Sequence, residues 1–209
     1  MITNLLKNRT LPKRRRLATQ DGCLLDLQEE LPIMFKAFSE AFEAFEKEIS
    51  QTPPMARARG FEASLLNSKM IQSIQDNFPN NWKFGKYKRF TLQKNGYTIL
   101  FKKLNNKNMP MNIKTNTVNA IAQQEQLSLF DDNSLVANPI LYFGYKKSNI
   151  GSIVDPKLIY IDDNKLKWII TADDIVTTKN SEIEEAFEET EMDLPKIKED
   201  VKRKKASNE

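Results

Sequence analysis

Histidine is absent from this chain of 209 residues, and cysteine occurs once, as Cys23. The lack of histidine excludes the commonest general base, the Ser-His and Cys-His nucleophile pairs, and every metal site that needs an imidazole. A single cysteine cannot form an intrachain disulfide or a structural zinc site, which is typical of proteins from a reducing cytoplasm. We therefore predict no catalytic residue, no metal and no cofactor, while a carboxylate-held magnesium site stays open as an alternative.

Long hydrophobic runs are missing as well. No apolar stretch approaches the roughly 18 residues of a membrane helix, and residues 1–16 do not have the pattern of a secretory signal. Hydrophobic residues make up 40% of the chain and charged residues 29%, which indicates one domain with a real core and polar ends. We expect a cytoplasmic protein without a membrane partner.

Acidic residues are missing from a long stretch in the middle of the chain. Residues 77–124 hold nine Lys and Arg and no Asp or Glu, and residues 1–20 hold six basic residues and no acidic one. By contrast, residues 21–56 carry eight acidic residues against two basic ones, and residues 125–209 carry 18 against 12. Such blocks say more about binding partners than the total net charge of +4 does.

Two amphipathic helices are predicted in the N-terminal half. Large apolar side chains recur at helical spacing over residues 24–50, and Pro53-Pro54 ends that run. A second helix is predicted over residues 57–77, where Arg57 and Arg59 occupy a first turn that does not favour cations, so they are candidate anion contacts. The side chains predicted to form the buried face of this second helix are Phe61, Leu65, Ile71, Ile74 and Phe78.

The later part of the chain is predicted to form strands. Asn95-Gly96 is a strong signal for a type I′ turn and predicts a hairpin of residues 87–94 and 97–104. Three more strands are predicted, at residues 140–145, 158–162 and 166–171. Together these elements predict an α+β fold, with N-terminal helices packed on a mainly antiparallel sheet of about five strands.

The domain organisation follows from composition. We expect a basic flexible arm over residues 1–20, a single α+β domain over residues 21–175, and a charged C-terminal tail over residues 176–209. Within the domain, residues 110–136 show no sustained periodicity and are predicted to form an exposed loop. Loops of that length in a compact domain are usually functional or unordered.

This loop contains Gln126-Leu127-Ser128-Leu129-Phe130. The pentapeptide resembles, at every position, the Gln-Leu-Ser/Asp-Leu-Phe motif through which bacterial polymerases and repair proteins bind the DNA sliding clamp, the beta subunit of DNA polymerase III. The chemistry fits a groove binder, since Leu129 and Phe130 would fill pockets, Leu127 a neighbouring hollow, and the Gln126 amide would fix the register. Polar residues on both sides of the motif oppose the alternative of a short strand buried in the chain's own core.

The resemblance implies a protein that binds the sliding clamp and modulates DNA replication, either as an inhibitor, the role we favour, or as a recruited accessory factor. In general shape this resembles replication-blocking toxins of the SocB type, which adds DNA and a cognate antitoxin to the expected partners. Two alternatives stay open: a magnesium-dependent nuclease or nuclease-like toxin, and a basic nucleic-acid-binding protein in which the pentapeptide is incidental.

Basic residues interleaved with aromatic ones predict a surface that contacts nucleic-acid phosphates, with base stacking as a second contribution. The alternative is that the aromatic side chains face the core while the lysines keep a sheet edge soluble. The candidate nucleic-acid-binding residues are Arg14, Arg15, Arg16, Arg57, Arg59, Lys86, Lys88, Arg89, Lys102 and Lys103.

The nuclease alternative depends on acidic residues near the C-terminal strands. Asp155, Asp163 and Lys165 loosely resemble the acidic-acidic-x-Lys pattern of restriction-type nucleases, and Glu62 would supply a further carboxylate. Asp163-Asn164 is equally typical of an ordinary polar turn, which is the interpretation we favour.

Overall fold

The computed structural model describes residues 14–15, 17–85, 88–113, 115–124, 136–148 and 151–176. Two compact units are distinguished by their internal contacts, Met1–Ile175 and Val176–Glu209. Apart from Val176, the second unit lies outside the described residues, as do the predicted charged tail and most of the predicted basic arm.

Helices dominate the first part of the described chain. They are α1 (Gln20–Asp26), α2 (Glu30–Ile49), α3 (Phe61–Asn77) and α4 (Asn116–Ala122), with a 3-10 turn at Pro54–Ala56 between α2 and α3. A threonine hydroxyl caps two of them, because Thr19 accepts a hydrogen bond from Gly22 N–H and Thr115 accepts one from Val118 N–H, each at 3.2 Å. None of the described helices combines the length and the apolar character that crossing a bilayer requires.

Eight strands occur among the described residues, and six of them form one sheet. They are β1 (Arg14–Arg15), β2 (Trp82–Gly85), β3 (Arg89–Lys94), β4 (Tyr97–Lys103), β5 (Val136–Ala137), β6 (Ile140–Lys147), β7 (Ile153–Asp162) and β8 (Lys165–Ile170). The main sheet has the order β2-β3-β4-β6-β7-β8, while β1 and β5 form a separate parallel pair. Every pair in the main sheet is antiparallel except β4–β6. The main sheet therefore consists of two three-stranded antiparallel meanders, β2-β3-β4 and β6-β7-β8. The parallel pairing of β4 with β6 joins them and is called the parallel seam.

The predicted α+β class is confirmed, with N-terminal helices ahead of a mostly antiparallel sheet. The predicted hairpin is also confirmed, because β3 and β4 are joined at Asn95 (φ 46°) and Gly96 (φ 79°), the pair of left-handed residues that a type I′ turn requires. The sheet has one more strand than the five expected, since β2 escaped prediction.

The sheet has an apolar cluster on each face. On the first face, side chains of α1, α2 and α3 pack against those of the strands, as in the contact of Phe38 with Phe143, whose ring centroids are 5.8 Å apart. On the second face, Ile121 of α4 packs with Leu100 and Tyr142 in a smaller cluster. Side chains of neighbouring strand residues thus enter different clusters, as the period of two along a strand requires.

The structure differs from the prediction in the buried face of α3. Ile74 and Phe78 are buried as expected, but the other buried apolar residues are Leu66 and Met70, one turn apart on the same stripe. Phe61, Leu65 and Ile71 are only partly buried. The prediction of the buried face was wrong because this weakly amphipathic helix has more than one apolar stripe. The packing of α3 against α2 determines which stripe is buried.

The region predicted as an exposed loop, residues 110–136, contains regular structure. Its first half forms α4, and its last residue, Val136, begins β5. Helix α4 has seven residues, or about two turns, whereas an average helix has about three turns, so Val118, Ile121 and Ala122 did not suffice to predict it. Its position on the second face of the sheet explains why so short a helix is stable.

Candidate functional site

The pentapeptide Gln126, Leu127, Ser128, Leu129 and Phe130 lies outside the described residues, within the stretch 125–135. The structure does describe the chain immediately before and after that stretch. Both flanks are fixed to the main sheet by hydrogen bonds, so the geometry of the flanks is the structural information that bears on the motif.

Gln124 fixes the N-terminal flank. Its side chain is 6% exposed and makes three hydrogen bonds, donating from Nε2 to the carbonyls of Ile140 (2.9 Å) and Ile161 (2.7 Å) and accepting from Ile140 N–H at 2.7 Å. The residue has a left-handed backbone, φ 57°, at the end of α4. Because the amide uses two donors and its acceptor, Gln124 connects the end of α4 to both β6 and β7. Only Glu125 separates it from the motif.

The C-terminal flank is fixed in two places. The Pro139 carbonyl accepts a hydrogen bond from Thr98 N–H at 2.9 Å, which attaches the start of β6 to β4. Strand β5 pairs in parallel with β1, with Arg14 opposite Val136 and Arg15 opposite Ala137. Part of the predicted basic arm therefore lies beside the end of the motif segment, although the Arg14 and Arg15 side chains, Arg16 and Lys86 are outside the described residues.

Arg57 is a half-buried arginine, and each of its three guanidinium nitrogens has an acceptor inside the protein. Its Nε donates to the Thr52 carbonyl and its Nη2 to the Ile49 carbonyl, each at 2.9 Å, while Nη1 contacts Glu62 Oε1 at 3.1 Å. Lys147 donates to the other oxygen of Glu62 at 2.6 Å. Arg57 thus connects the end of α2 to the start of α3. This structural role explains why a cation is found at this position, without the need for an external anion.

These contacts with Lys147 and Arg57 lower the pKa of the Glu62 carboxylate. The hydrogen bond and the charge of Lys147, and to a smaller extent those of Arg57, lower the pKa of Glu62 despite an opposing contribution from burial. The neighbouring cavity has a volume of about 820 Å³ and is lined by Phe42, Phe45 and Tyr145 as well as by these charged residues. Arg59, by contrast, is exposed to solvent.

Arg89 of β3 and Lys102 of β4 form a basic cluster of a different kind. The Nη1 atom of Arg89 is buried and has no hydrogen-bond partner within the described part of the chain. Burial and the nearby charge of Arg89 lower the pKa of Lys102. Both side chains line a cavity of about 260 Å³, together with Lys88 and Asn67, and a smaller one of about 10 Å³.

Tyr142 of β6 borders the smaller of these two cavities. Burial raises the pKa of its hydroxyl strongly, and the charge of Arg89 opposes that rise. The tyrosine is therefore a neutral hydrogen-bonding group at neutral pH. Arg89, Lys102 and Tyr142 come together from three strands, and Tyr142 is a residue that sequence reasoning missed, because its position beside Arg89 depends on the parallel β4–β6 pairing.

The aromatic residues of the basic stretch contact one another. Phe90 lies 6.1 Å from Trp82, 5.4 Å from Phe84 and 6.0 Å from Phe101, measured between ring centroids. Tyr97 is buried, and its hydroxyl donates to Asp26 at 2.8 Å. These contacts favour packing as the role of most of the aromatics, while Phe84, 48% exposed on the edge strand β2, keeps a free surface for stacking.

The carboxylates of the nuclease alternative are far apart. Asp155 is near the start of β7, and Asp163 follows its end, so at about 3.3 Å per residue they are separated by roughly 25 Å. Asp155 contacts Lys146 at 3.0 Å and Lys157 at 2.7 Å, and Asp163 and Asn164 form a left-handed turn, with φ of 50° and 58°. Among the described residues, no group of three or more His, Cys, Asp or Glu could hold a metal ion.

No protein-family model matches the chain, and no curated protein and no solved structure matches it. The functional argument therefore depends on the chain's own residues. Two features stand out: the motif segment, whose flanks are fixed to the sheet, and the basic cluster of Arg89 and Lys102.

Proposed function

We propose that this protein binds the bacterial sliding clamp through residues 126–130 and thereby modulates DNA replication. The observation that carries the proposal is the match of Gln126-Leu127-Ser128-Leu129-Phe130 to the clamp-binding motif at every position. The hydrogen bonds of Gln124 and Pro139 support it, because a segment held at both ends can be engaged by a partner without disturbing the core.

The expected strength of the contact follows from the two apolar anchors. Burying Leu129 and Phe130 fully in the clamp groove is worth roughly 1.5–3 kcal/mol each. After the costs of association and of ordering the segment, this supports a contact of micromolar class. Such a contact competes with other proteins for the same groove by mass action, so occupation of the groove at high protein concentration inhibits replication.

The flanks also support an expectation about the side of the protein that would face the clamp. Gln126 is two residues beyond the fixed side chain of Gln124, whose partners Ile140 and Ile161 lie at one end of the sheet. The β7–β8 turn is at the same end, because Asn164 N–H donates to the Ala122 carbonyl at 3.3 Å. We therefore expect the clamp to contact the Asp163-Asn164 turn as well as the motif.

The test is a surface-plasmon measurement of the full chain on purified clamp. Leu129→Ala combined with Phe130→Ala should weaken binding by at least a hundred-fold, because both anchors are lost. Ser128→Ala is the matched control, since the serine faces solvent in the proposed complex and its loss should change affinity less than three-fold. Undiminished binding of the double variant, or no binding of the unaltered chain, would refute the proposal.

A second candidate function is weak, sequence-independent binding of DNA. The observation that favours it is the stretch of residues 77–124, which holds nine basic and no acidic residues. Within the described part of this stretch, Lys94 is paired with Glu30 at 3.1 Å, but Lys88, Lys102 and Lys103 have no acidic partner. Affinity should then fall steeply as salt rises from 50 to 200 mM, and a flat salt response would exclude phosphate contacts.

A further inference from the structure

The first step concerns a gap in the sheet between β3 and β4. Residues 89–92 of β3 pair with β2, but the pairing of β3 with β4 ends at Leu92 and Ile99. Beyond that point β4 stays paired with β6 as far as Lys103. The two strands therefore diverge, and the cavity of about 260 Å³ lies where they separate.

The second step concerns what faces this gap. Lys88, Arg89 and Lys102 all line it, Asn67 of α3 adds an amide, and no acidic side chain from the described part of the chain is among its lining residues. Three cations without a counter-charge repel one another, which is a cost that the folded protein bears as long as the site holds no anion. Burial is the main cause that lowers the pKa of Lys102, and the charge of Arg89 lowers it further.

The third step concerns hydrogen bonding. A buried guanidinium nitrogen without an acceptor is rare in folded proteins, because the unmade bond of a charged donor is expensive. Nη1 of Arg89 is in that state as far as the described residues are concerned. Arg57, in the same protein, shows the usual arrangement, in which every arm of the guanidinium has an acceptor.

We propose that the gap between β3 and β4 is a binding site for a phosphate group, held by Arg89 and Lys102 with Lys88 at its rim. A phosphate offers several strong acceptor oxygens and up to two negative charges, which suits a forked guanidinium beside a point-charge ammonium. The cavity is several times the ~30 Å³ that a water molecule occupies in the liquid, so a phosphate group fits it. None of the site's residues belongs to the clamp motif, and the proposal does not depend on clamp binding.

The first test is thermal unfolding of the full chain in sodium phosphate and in sodium chloride of equal ionic strength and pH. At a phosphate concentration about ten-fold above Kd, the midpoint should rise by roughly 2–4 °C relative to chloride. Arg89→Gln should abolish this rise, and titration calorimetry should show its phosphate Kd raised at least ten-fold. Lys102→Gln should weaken phosphate binding several-fold.

Lys167→Gln is the matched control, because Lys167 is an exposed lysine on β8, far from the gap in strand order, and its removal changes the net charge by the same amount. This variant should keep the full phosphate effect. A rise of equal size in chloride, or a phosphate effect that survives in both Arg89→Gln and Lys102→Gln, would overturn the proposal. Should Arg89→Gln fail to fold, Lys102→Gln alone decides, since its side chain is only half-buried.

The source of the phosphate is distinguished by three probes: inorganic phosphate, a single-stranded oligonucleotide with a 5′-phosphate, and the same oligonucleotide with a 5′-hydroxyl. Preference for the 5′-phosphate form identifies a nucleic-acid end, and equal binding of both oligonucleotides identifies the nucleic-acid backbone. Binding of inorganic phosphate that neither oligonucleotide displaces identifies a small phosphate ligand. Each of these patterns supports the site if Arg89→Gln abolishes it, and the absence of any Arg89-dependent binding contradicts the site.

Discussion

Arg57 and Arg89 are both half-buried arginines, and the sequence presents both as candidate contacts for an anion. In the structure, the three arms of Arg57 bind two backbone carbonyls and Glu62, whereas Nη1 of Arg89 has no acceptor in the described chain and Lys102 lies nearby. The difference teaches that burial of a cation does not by itself indicate a binding site. What distinguishes the two is whether the fold already supplies the acceptors.

If the hydrogen-bond partners inside the protein decide the role of a buried polar group, then removing the side chain of Gln124 should cause the largest loss of stability. This side chain is buried and makes three hydrogen bonds. Gln124→Ala leaves Ile140 N–H and the Ile161 carbonyl without partners and opens a cavity, so we expect a loss of about 3 kcal/mol in the free energy of unfolding. Urea denaturation measures this loss. The exposed neighbour Gln123 is the control, and Gln123→Ala should cost under about 0.5 kcal/mol.

The second-largest loss in the free energy of unfolding is expected when Arg57 is replaced. Arg57→Ala removes three hydrogen bonds at the junction of α2 and α3, and the expected loss in the free energy of unfolding is about 2 kcal/mol. Arg59→Ala removes the same charge from an exposed position two residues away and should change stability by less than about 0.5 kcal/mol. Equal effects of the two substitutions would show that the Arg57 contacts contribute nothing to the fold.

Arg89 should behave in the opposite way. In a buffer without phosphate, Arg89→Met removes an unsatisfied donor and a like-charge neighbour of Lys102 while keeping the apolar stem, so stability should change by no more than about 0.5 kcal/mol or should increase. Urea denaturation in a chloride buffer measures it beside Arg57→Met. A loss for Arg89→Met as large as that for Arg57→Met would erase the contrast between the two arginines.

The smallest effect is expected from acid titration of Glu62. Because the pKa of Glu62 is lowered in the folded state, its contribution to stability is present above the ordinary value of 4.5 and is lost as the pH falls through the folded pKa. The side chain is 40% exposed, so solvent screens the contribution. Glu62→Gln should lower the urea midpoint at pH 7, and its difference from the unaltered chain should shrink as the pH is lowered to 3. A constant difference at both pH values would mean that the ion pairs with Arg57 and Lys147 do not contribute.

Local signals in the sequence were sufficient for much of the fold. Asn95-Gly96 predicts its hairpin because the turn needs two left-handed residues. Apolar side chains at helical spacing over residues 24–50 predict α2, although the structure divides that run between α1 and α2. Strand β2 was missed, since four residues ending in Gly85 give no clear alternation. Helix α4 was missed although Thr115 carries a capping signal, because the apolar residues Val118, Ile121 and Ala122 are too few to define a period.

The parts of the candidate site that could not be predicted depend on long-range pairing. The function of Arg57 depends on carbonyls that become available only where α2 ends, and nothing in the local sequence identifies them. The gap beside Arg89 depends on the divergence of β3 from β4, which no residue type encodes. Gln124 is one of several consecutive polar residues, and only the approach of β6 and β7 distinguishes it from Gln123.

The parallel seam between β4 and β6 has a consequence for the order of folding. Within each meander, strands adjacent in sequence pair through short turns, but the seam joins Thr98 to Ile140 and Lys103 to Tyr145, about 40 residues apart. We expect the two meanders to form early and the seam to close last. Gln124 needs both Ile140 and Ile161 for its bonds, so the N-terminal flank of residues 126–130 becomes fixed only after β7 has been synthesised and paired. In pulse-labelled hydrogen exchange, protection of Ile140 N–H should therefore lag behind protection within the β3–β4 hairpin.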